Sequence, residues 1–162
     1  RRADQVPAEG PGDGPAAREW PVRPGDPVTA SHWWDSDRVG AVTDGLEPKS
    51  SADSSIPRFT WWDHRGSQEW LCYDFGKQRS VSEVAVYWFD DTGRGSCRVP
   101  KSWRVLWRDG AAWKPVEATG AFGVARDQYN RVAFKPVQTS ALRIEVQLLP
   151  DVSAGVLEMK VN

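Results

Sequence analysis

From Val28 to the end of the chain the apolar residues alternate along short runs, and no stretch repeats them at helical spacing. Ser102–Arg108 sets Trp103, Val105 and Trp107 against Arg104, Leu106 and Arg108. Ala141–Leu149 sets Leu142, Ile144, Val146 and Leu148 against Arg143, Glu145 and Gln147. Arg131–Val137 turns Val132 and Phe134 inward. Val81–Phe89 is apolar on both faces, the pattern of a central strand covered on both sides. Val28–Ser31, Glu69–Phe75, Trp113–Glu117 and Val156–Val161 bring the count to about eight strands. Asp44-Gly45 and Asp109-Gly110 are turn signals between them. The chain is predicted to be all-β, two antiparallel sheets in a jelly-roll β-sandwich.

Residues 1–27 break this pattern. They hold Pro7, Pro11, Pro15, Pro21, Pro24 and Pro27, half of the 12 prolines, and offer little to bury beyond Trp20 and Val22. They read as a linker or extended arm, and residues 28–162 as one sandwich domain. A net charge of −1 argues against a nucleic-acid partner. No apolar run reaches the length of a membrane span. The start lacks both Met and the apolar core of a signal peptide, so the chain reads as a mature or excised fragment. Two cysteines, Cys72 and Cys97, are too few for a disulfide framework, and no CxxC pattern points to a metal. One bridge between them is an option in an exported protein.

The compositional anomaly is tryptophan: 10 Trp against 3 Tyr and 5 Phe. Three lie in Ile56–Gly76, where a charged, Trp-rich loop runs straight into the strand Glu69–Phe75. Leu71, Tyr73 and Phe75 share one face of that strand, and Trp70, Cys72 and Asp74 the other. Trp61 and Trp62 are adjacent, so in an extended segment they point to opposite sides and cannot both enter a single-layer core. One is expected to meet solvent, a loop cover or a ligand. An indole offers a flat apolar face, and neighbouring charged groups offer the bidentate hydrogen bonds that sugar hydroxyls require. Such groups accumulate in three loops, giving a candidate carbohydrate site at His32, Trp33, Trp34, Asp35, Arg58, Trp61, Trp62, His64, Asp90, Asp91 and Arg98. Trp88 precedes the third loop and reads as core.

Catalytic constellations are missing. His32 and His64 are the only histidines, and no HExxH, GxSxG or phosphate-cradling loop occurs. Asp90 and Asp91 are adjacent, the wrong arrangement for a facing acid–base pair. Asp35, Asp37 and Asp63 read as solvated loop carboxylates. Asp44 in its turn and Glu158 in the last strand are the carboxylates placed to hold Ca²⁺ together with loop carbonyls.

AVTDG, FTWW, EWLCYDFG, VSEVAVYWF, SWRVLWRDGAAWKPV, LRIEV and AGVLEMKV follow one another in order. This series resembles the discoidin, or coagulation-factor V/VIII type C, superfamily with its galactose-binding-like sandwich. The strings DGLEPKSSADSSIPRFTWWDHRG and YWFDDTGRGSCRVPKSWRV look like the C-terminal accessory module of β-L-arabinofuranosidase-type glycoside hydrolases. The resemblance implies a non-catalytic, monomeric carbohydrate-binding module of a secreted or periplasmic glycosidase, whose catalytic domain is its partner. A purely structural accessory domain is the alternative. It also implies a structural Ca²⁺ on Asp44 and Glu158, with carbonyls near Ala41 and Leu157 and with Thr60 before the loop tryptophan. The loop from Asp44 to Thr60 is longer than that pattern, which shifts the Thr60 role toward Ser50–Ser55.

Overall fold

The computed structural model describes residues 27–162, so the arm expected over residues 1–27 lies, Pro27 apart, outside the described residues. Seven strands follow: β1 (Val28–Ala30), β2 (Phe59–Thr60), β3 (Gln68–Phe89), β4 (Ser102–Asp109), β5 (Ala112–Pro115), β6 (Tyr129–Gln147) and β7 (Gly155–Val161). A single 3₁₀ turn, Val39–Thr43, is the only helical element among them.

The expected alternating segments are present, but four of them fuse into two. Glu69–Phe75 and Val81–Phe89 become one strand, β3, and Arg131–Val137 and Ala141–Leu149 become β6. These two long strands pair antiparallel along nearly their whole length. Their register shifts between Asp74 and Arg79, and there the ladder bends from one sheet into the other. Gly76 supplies the bend with φ +77°, a conformation a side chain disfavours, and its N–H is caught by Asp74 Oδ1 at 2.8 Å. Gly76 thus allows a bulge within one strand and not a turn between two.

All seven strands are hydrogen-bonded into one sheet, β2-β7-β3-β6-β4-β5 with β1 on β3, which folds over into two layers, the first and second sheet. The first contains β1, the start of β3, the end of β6, β4 and β5. The second contains β2, β7, the end of β3 and the start of β6. The β2–β7 pairing needs Gly155, because a Cβ there would lie 2.4 Å from the Phe59 carbonyl oxygen. Leu71, Val105, Leu142, Ile144 and Val146 of the first sheet pack against Val84, Val86, Trp88, Val132 and Val156 of the second. Trp88 and Trp103 meet edge to face at 5.5 Å, and both donate Nε1–H to the Gly123 carbonyl. The second face of Val81–Phe89 is covered as well: Tyr87 and Phe89 form a smaller cluster with Cys97 and Leu157, under Ile56 of the long loop. That loop is pinned by Asp90 N–H donating to Ser51 O. Cys72 and Cys97 are separate buried thiols.

Candidate functional site

The turn before β7 gathers the three loops singled out above. Trp61 N–H donates to Ala154 O, Arg98 N–H to Ser153 O, and Trp34 N–H to Thr60 O. His32 and His64 stack face to face at 3.7 Å. The predicted loops therefore meet at one end of the sandwich, anchored by residues 149–154, which no pattern in the sequence had marked.

Their side chains divide into those that fill the protein and those that line its surface. Trp33, Trp61, Trp62 and Trp88 are all at most 2% exposed. Trp61 joins the main core, edge-on to Phe59, with its Nε1–H on the Trp70 carbonyl. Trp62 points the other way and is covered by the Arg65 guanidinium, 4.6 Å above its ring. Both are buried because the segment lies between the core and an outer loop layer, so the expected loop cover is what Trp62 meets. Asp90 and Asp91 are buried too, and bind their own loop. Asp90 accepts from Thr92 N–H and Val99 N–H, and Asp91 from Cys97 N–H. An Asp two residues before such an N–H is an Asx-turn signal. Asp37, read as solvated, is 5% exposed. It accepts the Thr60 hydroxyl and pairs with Arg58 Nε at 3.6 Å. Trp34, Arg58, Asp63, His64 and Arg98 remain half-buried, and Asp35 is exposed.

Beside the first two of these loops lies a cavity of about 260 Å³ lined by Ser36, Asp37, Arg38, Ser54, Ile56, Pro57 and Arg58, of which Arg58 alone belongs to the predicted sugar-site residues. A backbone bond from Arg38 N–H to Arg58 O holds its two walls together. Ser, Asp and Arg supply donors and acceptors, and Ile56 and Pro57 supply an apolar floor, which is the mix that fixes a small polar ligand. Arg38 went unnoticed in the sequence, because nothing in SDRVG marks it.

Glu69 was also missed. It shares its strand face with Leu71, which marks it as pointing inward, and it is 4% exposed. The Ser31 hydroxyl donates to it at 2.6 Å, His64 Nδ1 lies 2.8 Å away, and Ser67 donates as well. Burial pushes this carboxyl up, but the bonds from His64, Ser31 and Ser67 outweigh it and hold the group below its ordinary value.

The expected metal ligands are only partly assembled. Asp44 caps the 3₁₀ turn, with its N–H on Ala41 O, and faces Glu158. Glu158 is 3% exposed and accepts from Gly45 N–H at 3.1 Å. Burial first, then the Asp44 carboxyl beside it, push Glu158 up to about 8. Asp44 Oδ2 and Glu158 Oε1 are buried without a hydrogen-bond partner. Two orphaned carboxylate oxygens beside a loop carbonyl are the donor set that Ca²⁺ accepts, so these residues fit the ion. Thr60 does not join them, because its hydroxyl is committed to Asp37. Ser51 of the suggested Ser50–Ser55 substitute bonds Asp127 instead. Leu157 sends its side chain into the second cluster. Among the described residues no group of three or more His, Cys, Asp or Glu side chains forms a metal site.

No family model matches the sequence. Solved structures do share the fold. One, from work on the Streptococcus pneumoniae β-galactosidase BgaA, is 22% identical, with a TM-score of 0.68 over 88% of this chain and 94% of that one. The family 32 carbohydrate-binding module of C. perfringens NanJ, in complex with galactose, is 17% identical, with a TM-score of 0.63 over 83% and 90%. Chitosan-binding module 1 of a Paenibacillus sp. IK-5 chitosanase/glucanase is 17% identical, with a TM-score of 0.59 over 83% and 92%. Residues 28–162 thus form a β-sandwich with the same fold as these carbohydrate-binding modules.

Proposed function

We propose that this chain is a non-catalytic carbohydrate-binding module, and that its sugar site is the cavity between Ser36–Arg38 and Ser54–Arg58, with Trp34 beside it. The observation that carries the reading is convergence: three loops rich in aromatics and charges are drawn to one end, where residues 36–38 and 54–58 line a polar cavity that also has apolar lining from Ile56 and Pro57. At about 260 Å³ the cavity is just under the roughly 300–1,000 Å³ of drug-sized pockets. That volume suits one sugar unit or a chain end. Modules with this fold bind galactose and chitosan, which supports a glycan as the ligand class. The module serves a glycosidase outside the cell or in the periplasm, acts as a monomer, and delivers the catalytic domain to its polysaccharide. Asp44 and Glu158, with the carbonyl of Ala41, hold Ca²⁺, whose charge would satisfy the two orphaned oxygens and tie the first loop to β7. A glycan array probed with the 162-residue chain tests the sugar reading. Binding that Trp34→Ala weakens at unchanged melting temperature supports it. An array without hits returns the protein to the structural-domain alternative.

A further inference from the structure

Resting on that site assignment, we infer that the cavity selects an acidic sugar, one that carries a carboxylate. Two guanidinium groups face it and one carboxylate does. Arg58 has its charge answered by Asp37 at 3.6 Å, and it lies 4.8 Å over the Phe89 ring. Arg38 has no such partner: its Nε is buried without a hydrogen bond, and among the described residues it enters no ion pair. Asp37 cannot serve both, because it already takes the Thr60 hydroxyl and Arg58. Asp53, next to the lining residue Ser54, has its oxygens committed to Lys49 N–H, Ser55 N–H and the Ser55 hydroxyl. The cavity therefore keeps one unanswered positive charge.

Where the Arg38 guanidinium faces the cavity it calls for both a hydrogen-bond acceptor and an opposite charge. Water or a neutral hydroxyl satisfies the hydrogen bond but leaves the charge. A carboxylate satisfies both, and the planar guanidinium matches it in bidentate fashion. Arg38 also stands where a substitution disturbs little else. It precedes the 3₁₀ turn as its N-cap in extended conformation, with no side-chain capping bond to lose. A hexuronic acid meets these demands: its ring rests on Ile56 and Pro57, its hydroxyls meet Ser36 and Ser54, and its carboxylate meets Arg38.

The experiment is calorimetric titration of the 162-residue chain with two matched pairs, galacturonic acid against galactose and glucuronic acid against glucose, at low and high salt. At least one acid is expected to bind about tenfold or more tightly than its neutral partner, the worth of one charge-assisted hydrogen bond. The advantage should shrink with salt. Arg38→Gln should abolish the preference without lowering the melting temperature, and Arg38→Lys should restore part of it. If the neutral sugar binds as tightly as the acid, or if Arg38→Gln keeps the preference, the inference is overturned and the sugar-binding reading stands. If neither pair binds and a glycan array is also blank, the sugar-binding reading itself falls and takes the inference with it.

Discussion

Glu69 and Glu158 are both strand carboxylates with almost no exposure, 4% and 3%, yet the protein treats them in opposite ways. Around Glu69 stand Ser31, His64 and Ser67, so each oxygen is answered and burial strengthens those bonds. Around Glu158 stand one backbone N–H and another carboxylate, so an oxygen on each acid is left over and the proton is held up to about 8. A polar group that the fold satisfies is part of the fold. One that the fold leaves unsatisfied is where a ligand could add an interaction the chain does not supply. The same distinction separates Arg58, which has Asp37, from Arg38.

The largest expected effect breaks the satisfied member. Glu69→Ala strands the buried Ser31 hydroxyl, the Ser67 hydroxyl and a half-buried histidine, and should cost about 3–5 kcal/mol in denaturant unfolding, as removal of one partner from a buried polar pair does. Trp61→Ala, which empties the adjoining core, belongs in the same range. A loss under about 1 kcal/mol for Glu69→Ala would mean that the cluster does not hold the loops.

Next comes the unsatisfied member, where the sign reverses. In chelator, Glu158→Gln should be neutral or stabilising, because it removes one of two opposed acids. In wild-type protein, Ca²⁺ at a hundred times its dissociation constant should add about 2.7 kcal/mol of stability, and Glu158→Gln should erase that gain. Thermal melts with chelator and with Ca²⁺ read both arms. An unchanged midpoint in wild-type protein counts against the ion.

A smaller effect separates filled indoles from lining ones. Trp34→Ala should weaken glycan binding by about 1–3 kcal/mol, the scale of ring stacking on an aromatic side chain, without lowering the midpoint as Trp61→Ala does. Calorimetry and melting on the same two variants distinguish the roles.

The smallest effect is a slope with pH. Because Glu69 sits below its ordinary value of 4.5 in the folded protein, its contribution is complete above that value. It is lost as pH falls through the folded value, where the native state must take up the proton. Wild-type protein should therefore lose stability on acidification below about 4.5 more steeply than Glu69→Gln. Parallel slopes would show that Glu69 is not held low.

The strands were legible in the sequence because a period of two survives in most runs longer than four residues or so, with Val81–Phe89, apolar on both faces, the exception. Phe59–Thr60 is too short to show a period, and the 3₁₀ turn at Val39–Thr43 has no side-chain cap to announce it. The fusion of predicted strands into β3 was hidden because Gly76 reads alike as a turn or as a bulge, and the fusion into β6 because Gln138, Thr139 and Ser140 interrupt the apolar alternation. The candidate site was legible as loops but not as side chains. Which tryptophan is covered depends on loops that pack from outside, such as Arg65 over Trp62. Arg38 became visible only through the acceptor it lacks.

The continuous β3–β6 ladder also governs how the chain can assemble. Gln68 pairs with Gln147 and Tyr87 with Tyr129, so the contacts are nested, and the smallest loop to close is the one from Tyr87 to Tyr129. Closing that end first and zipping back through the bend to Gln68 is the order that costs least chain entropy. Until Tyr129 is available, β3 has lost its longest partner, and neither sheet can complete its row of strands. The sandwich is thus a single late-closing unit, of the non-local kind that folds over milliseconds to seconds and not faster. Interrupting the chain between Phe89 and Tyr129 would remove that closure from both sheets at once.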